Sequence, residues 1–193
     1  MKKFLGFLFV LIFSTNISLA DDISDFQIEG MSIGDSLLDY FSESEIKNTE
    51  KIIYPASDKF YQIELKAQKE SNYDKLSFIL KKNDNLYKIF LVGGGKFFKN
   101  DLKSCMDFKK KVIKAVASDF SNLKEETYEY KYLTDDKKSI AYITDFIFSD
   151  GSSIRAFCVN WSKITEKKRG FEDNFSLDIS SIEYLDWLDN EAY

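Results

Sequence analysis

The chain has no histidine, a single proline and only two cysteines. Histidine is the commonest general base near neutral pH and the commonest metal ligand. Its absence excludes Ser-His-Asp and Cys-His catalysis and histidine-ligated zinc. Arginine is scarce as well: of 27 basic residues only Arg155 and Arg169 are arginine. Acidic residues number 32, so the net charge is −5, which suits nucleic-acid binding poorly because affinity there comes from neutralising phosphates. No apolar run reaches the ~20 residues that cross a bilayer. No stretch rich in proline, glycine and serine divides the chain. Against these absences stands an apolar content of 44% over 193 residues, enough for one folded domain with a real core.

The N-terminus has the form of a secretory signal. Lys2 and Lys3 precede ten uncharged residues, Phe4 to Phe13, and Ser18-Leu19-Ala20 places small residues where a signal peptidase reads. Cleavage after Ala20 makes 1–20 a signal peptide and 21–193 a single domain. That removes two lysines and no acid, leaving 173 residues at a net charge of −7. The expected location is therefore outside the cytoplasm, periplasmic or secreted, with no stable membrane insertion of the mature chain. No cysteine stands near the cleavage site to carry a lipid. Cys105 and Cys158, both in the exported part, read as a disulfide. Neither a C-x-x-C pair nor a thiolate-activating neighbour points to redox work.

The mature chain alternates helical and extended signals. Ser32 and Asp35 form a capping pattern, with Ile33, Leu37, Leu38 and Phe41 on one helical face. Ser42 and Glu45 repeat the pattern before Pro55. Tyr61, Ile63 and Leu65 alternate with polar residues as a half-buried strand. A two-residue turn at Asn83-Asp84 then pairs Leu80 with Tyr87, Phe78 with Ile89 and Leu76 with Leu91. Gly93-Gly94-Gly95 reads as a flexible break before the longest helix, about 100–120, capped by Asn100. The buried stripe of that helix includes Cys105, Val112, Val116 and Phe120, and Lys103, Lys110 and Lys114 form a solvated flank.

Strands follow at about 126–132, 139–149 and 152–162. An Asp150-Gly151 turn sets Phe148 opposite Ser153, Phe146 opposite Arg155 and Ile143 opposite Cys158. In that register Asp145 shares a face with Cys158, toward the helix. Phe146, Arg155, Phe157 and Trp161 share the other face, which either packs on the first sheet or is exposed to a peptide, glycan or partner protein. A charged loop at Glu166–Gly170 leads to a last strand at Phe175, Leu177 and Ile179. Ser180 and Glu183 then cap a terminal helix in which Trp187 packs. The order predicts an α+β fold, antiparallel sheet packed against one long helix, and hints at a doubled αβββ unit.

No catalytic constellation, cofactor motif or metal set stands out. The triple glycine with Lys96 lacks the earlier glycine and the following hydroxyl of a phosphate loop, because Phe90 and Phe97 occupy those positions. Asp21, Asp22 and Asp25 lack the spacing of a calcium loop. Asp135-Asp136, Asp145, Asp173 and Asp178 are carboxylates available for acid–base work.

Residues 26–40, Phe-Gln-Ile-Glu-Gly-Met-Ser-Ile-Gly-Asp-Ser-Leu-Leu-Asp-Tyr, resemble the start of exported proteins of AT-rich bacteria to which no activity is attached. Gly30-Met31-Ser32 opening a helix ahead of three alternating strands is also similar to small outer-membrane-assembly lipoproteins. Those share a two-helix, three-strand unit with β-lactamase-inhibitor-like folds, where it is doubled. This chain departs in lacking the lipidated cysteine. The resemblance implies binding or scaffolding at the envelope rather than catalysis. A carboxylate-dependent hydrolase and a secreted hydrolase inhibitor are the alternatives.

Overall fold

The computed structural model describes residues 22–120, 123–132 and 136–193. The expected signal at 1–20, Asp21 and Asp135 lie outside the described residues. Where apolar and polar residues alternate, the described residues extend into eight strands. These are β1 (Ile52–Ile53), β2 (Phe60–Lys66), β3 (Lys75–Lys81), β4 (Ile89–Phe97), β5 (Lys124–Lys131), β6 (Ile140–Ile147), β7 (Ser153–Asn160) and β8 (Asn174–Ser180). They form one antiparallel sheet in the order β1-β2-β3-β4-β8-β7-β6-β5. That order mirrors itself about the β4–β8 seam. Each half therefore holds four consecutive strands rather than the three of an αβββ unit, because β8 closes the second half against β4. Among the described residues four α-helices accompany the sheet: α1 (Glu43–Asn48), α2 (Leu102–Asp119), α3 (Lys163–Arg169) and α4 (Ile182–Asn190). The fold is α+β.

The inner face of the sheet lies under α2, the one long helix, which packs chiefly on β7 and β8. Its buried stripe brings Cys105 to Cys158 on β7, with the sulfurs at 2.02 Å and the Cα atoms 6.1 Å apart. A bond closing 53 residues stabilises the fold by about 4 kcal/mol through lost chain entropy. Around it Phe78, Val92, Ile154, Ala156, Phe175 and Leu177 form the main core. Phe108 meets Phe175 edge-on at 4.9 Å, and Phe120 meets Phe148 at 5.2 Å. Full burial of one such ring is worth roughly 2–3 kcal/mol.

Several sequence expectations give way for identifiable reasons. Ser32 accepts no first turn of helix. Gly34 takes φ +93° and pairs with β4 instead, Gly34 N–H to Ile89 O at 2.8 Å and Ile89 N–H to Asp35 O at 2.9 Å. Only a 3-10 turn, Leu37–Asp39, follows before α1, whose Ser42–Glu45 capping box does form. Asp101 rather than Asn100 caps α2, and Ser181 rather than Ser180 caps α4. The charged run at 163–169 is the helix α3, ended by Gly170 at φ +68°.

Both hairpins take other registers. Asp84 accepts the N–H groups of Leu86 and Lys88, which closes a wide loop in place of a two-residue turn. Leu80 then faces Ile89 and Phe78 faces Val92, with a bulge that turns both Phe90 and Leu91 outward. At the second hairpin Phe148 pairs with Ser152, leaving Ser149-Asp150-Gly151 as a three-residue loop with Gly151 at φ +90°. The pairing shifts by one residue: Asp145 faces Arg155 and Phe146 faces Ile154. A one-residue shift exchanges the faces on one strand.

The outer face of the sheet is treated differently in its two halves. Over β2–β4, α4 lays Tyr184 and Trp187 on Phe60, Ile79, Phe90 and Leu91. Trp187 Nε1–H donates to Ser57 Oγ at 3.0 Å, and the hydroxyls of Tyr54 and Tyr184 bond at 2.8 Å. Over β5–β8 no described helix covers the sheet.

Candidate functional site

The expected triple-glycine break is the centre of the sheet. Gly93, Gly94 and Gly95 are buried inside β4, paired on both sides. The reason is steric. A Cβ on Gly93 would stand 2.3 Å from Asp178 Oδ1 and 2.7 Å from Ser77 Oγ. One on Gly94 would meet the Tyr73 ring at 2.6 Å on the opposite face. The glycines let neighbouring side chains lie flat across β4.

Through Gly93 runs a polar rung spanning seven strands on the outer face: Glu64, Ser77, Gly93, Asp178, Arg155, Asp145 and Glu126, each directly opposite the next. Arg155 forks onto Asp145, Nε to Oδ1 at 2.7 Å and Nη2 to Oδ2 at 2.9 Å. The Tyr128 hydroxyl donates to Asp145 Oδ2 at 2.9 Å and accepts from Arg155 Nη2 at 3.2 Å. The Asp145 side chain is only 8% exposed, so the carboxylate is held out of water, whereas Arg155 is 40% exposed. The bond to Asp145 raises the Arg155 guanidinium further above its ordinary value. Burial raises the Tyr128 hydroxyl.

Asp178 sits on the other flank of Arg155, over Gly93, and no hydrogen bond reaches its carboxyl among the described residues. Burial pushes it up to about 7, outweighing the attraction of Arg155 and Lys75.

Beside the rung lies an aromatic row. Tyr128, Tyr130 and Tyr132, spaced by two, share the outer face of β5 and its extension. Tyr130 meets Tyr132 at 5.2 Å, Tyr132 meets Trp161 at 4.8 Å and Trp161 meets Phe171 at 4.7 Å. Tyr130 is 49% exposed and Phe171 40%. Trp161 is positioned by its own N–H, which donates to Asp173 Oδ1 at 2.7 Å. Burial raises that carboxyl from its ordinary value.

The chain matches no protein-family model, no curated protein and no solved structure. The reading of the site therefore rests on its own residues.

Of the four contact residues expected from sequence, Arg155, Phe157 and Trp161 do share the outer face. Phe146 does not: the one-residue shift turns it inward, 2% exposed in the main core, where it can touch no partner. The three tyrosines of β5 were missed, although their i, i+2, i+4 spacing already places them on one face. Elsewhere, a hollow of about 350 Å³ between the β1 edge and the loop after β3 is lined by Lys51, Asp58, Tyr61, Lys82 and Asp84. Its Lys82 and Asp58 neutralise each other, and backbone N–H groups occupy Asp84. Among the described residues no group of three acids or cysteines is placed to hold a metal ion, and no helix is long and apolar enough to cross a membrane.

Proposed function

We propose that this chain is an exported binding protein of the bacterial envelope that holds a partner protein on the outer face of β5–β8. One observation carries the reading: on the face that α4 covers in the other half, Tyr128, Tyr130 and Phe171 stand exposed in a row joined by half-buried Tyr132 and Trp161. Tyrosine, tryptophan and arginine are the residues that dominate protein contact surfaces, and Arg155 with Phe157 borders the row. The signal-like residues 1–20 and the cysteine pair support export.

The test is a photo-reactive residue at position 130 in cells exporting the full chain, compared with one at Lys110 on the exposed side of α2. The proposal expects one discrete adduct to a second protein, distinct from a self-linked pair of this chain, from position 130, none from position 110, and loss of that adduct on Phe171→Ala. Equal capture from both positions, or none from either, counts against it.

A second reading, a carboxylate-dependent hydrolase, draws on Asp178. A carboxyl raised to about 7 suits a general acid at neutral pH. Its nearest acidic counterpart across β7, Asp145, is engaged by Arg155, and two strand spacings separate their backbones by roughly 9.6 Å. Asp178→Asn abolishes turnover under this reading and leaves capture at position 130 unchanged under the first.

A further inference from the structure

The sheet has two edges, and they are unlike. β1 is two residues long, whereas β5 runs eight residues, pairs among the described residues only with β6 and is exposed along nearly its whole length. Long open edges are ordinarily shielded by a proline, a bulge, brevity or charged side chains, and of these β5 has only the charges. β5 has no proline, and its ladder to β6 runs from Lys124 to Lys131 without a shift. Its outward N–H and C=O groups therefore lie in register for another strand. Among the described residues Glu125, Glu129 and Lys131 have no ion-pair partner within the chain.

We propose that two copies of this chain pair edge to edge through β5, antiparallel about a two-fold axis at Tyr128, joining their sheets into one. Symmetry and charge select this register. A two-fold axis that makes identical strands antiparallel neighbours stands normal to the sheet, so inner face continues into inner face. Opposed residues share a face, and with side chains alternating they must be an even number of positions apart.

Of the registers that remain, the one centred on Tyr128 sets Glu125 against Lys131, Glu126 against Tyr130, Thr127 against Glu129 and Lys124 against Tyr132. Each of these contacts occurs twice. Every charge on the strand meets an opposite charge, a hydroxyl or a ring. Centring on Thr127 opposes Glu125 to Glu129 twice, and centring on Glu126 or Glu129 sets that glutamate against its own copy. Like charges directly opposite are destabilising. Centring on Tyr130 avoids the repulsion but opposes only positions 128–132 among the described residues of this segment. Pairing at Tyr128 also brings the outer-face tyrosines of the two copies together, doubling the open aromatic surface.

Sedimentation equilibrium of the purified protein tests the pairing. A concentration-dependent dimer is expected, weakened about tenfold or more by Lys131→Glu, which turns both Glu125 contacts repulsive. The charge swap Glu125→Lys with Lys131→Glu restores it. Tyr128→Cys lies on the axis, where opposed Cα atoms stand about 4.5–5.5 Å apart, within disulfide reach. This variant cross-links two copies under mild oxidation, and Thr127→Cys does not. A protein monomeric at about 100 μM, a dimer indifferent to Lys131→Glu, or cross-linking through Thr127→Cys and not Tyr128→Cys overturns the proposal.

Discussion

Asp178→Asn isolates the most strained electrostatic feature of the sheet. The carboxyl lies over Gly93 with no hydrogen-bond partner among the described residues, and burial carries it from 3.8 to about 7. At ~1.4 kcal/mol per pH unit, that difference corresponds to at most about 4 kcal/mol, and solvent reaching this half-buried carboxyl screens part of it. A carboxyl whose folded value is raised binds its proton more tightly in the folded state than in the unfolded chain. Its contribution is therefore complete below about pH 4, declines as pH rises, and is gone above about 7. Asparagine keeps the shape and removes the charge. The variant should match the parent near pH 4 and exceed it by up to about 4 kcal/mol at pH 8. For a domain of this size that is roughly 8–16 °C in Tm. Urea unfolding at pH 4, 6 and 8 with both proteins measures the difference directly, and exposed carboxylates common to both cancel. Equal stability of the two proteins across this range would refute the assignment of a half-buried Asp178 carboxyl without a hydrogen-bond partner.

Four further outcomes follow from the same geometry. Arg155→Ala leaves Asp145 buried without its fork and should cost about 3–5 kcal/mol in urea unfolding, whereas Arg155→Met with Asp145→Leu should lose far less. Gly93→Ala drives a Cβ into Asp178 and Ser77 and should cost about 1–3 kcal/mol, partly recovered when Asp178→Gly is added. Denatured, unreduced protein should contain no free thiol in a colorimetric assay, and Cys105→Ser with Cys158→Ser should lower stability by about 4 kcal/mol. Lys109, 3% exposed on the buried stripe of α2 and without an ion pair among the described residues, has its ammonium lowered by burial. Lys109→Met should therefore raise the melting temperature at pH 7, by an amount that shrinks toward alkaline pH as the parent lysine loses its proton.

Much of the fold was legible because local rules carry it. Alternation marked β2, β8 and the second hairpin, the Ser42–Glu45 box marked α1, and two cysteines in one chain pointed to their bond. The errors fall where several local solutions are nearly equal. Glu166–Gly170 reads as a charged loop by composition, but it belongs to the helix Lys163–Arg169, which has a serine cap and a terminal glycine. Ser32–Asp35 reads as a cap, yet Gly34 turns that segment onto β4. Lys109 lies four residues after Cys105 and so on the stripe facing the sheet, although charge alone places it among the solvated lysines.

Of the candidate site, Arg155, Phe157 and Trp161 were recognisable and Phe146 was misplaced, all through one residue of register. Side-chain period and composition are properties of a strand alone, and they suffice for where strands run and which residues alternate. Which face of a strand is buried depends on the partner strand and the turn between them. Here that choice belongs to a glycine at φ +90° in a three-residue loop. The meaning of the triple glycine was likewise beyond local reading. Only the meeting of β4 with β3 and β8 brings Ser77, Asp178 and the Tyr73 ring over a backbone that must stay bare to receive them. A glycine run is flexible in isolation and rigid when two strands flank it, because ladder hydrogen bonds and close-packed side chains remove the freedom the missing Cβ allows.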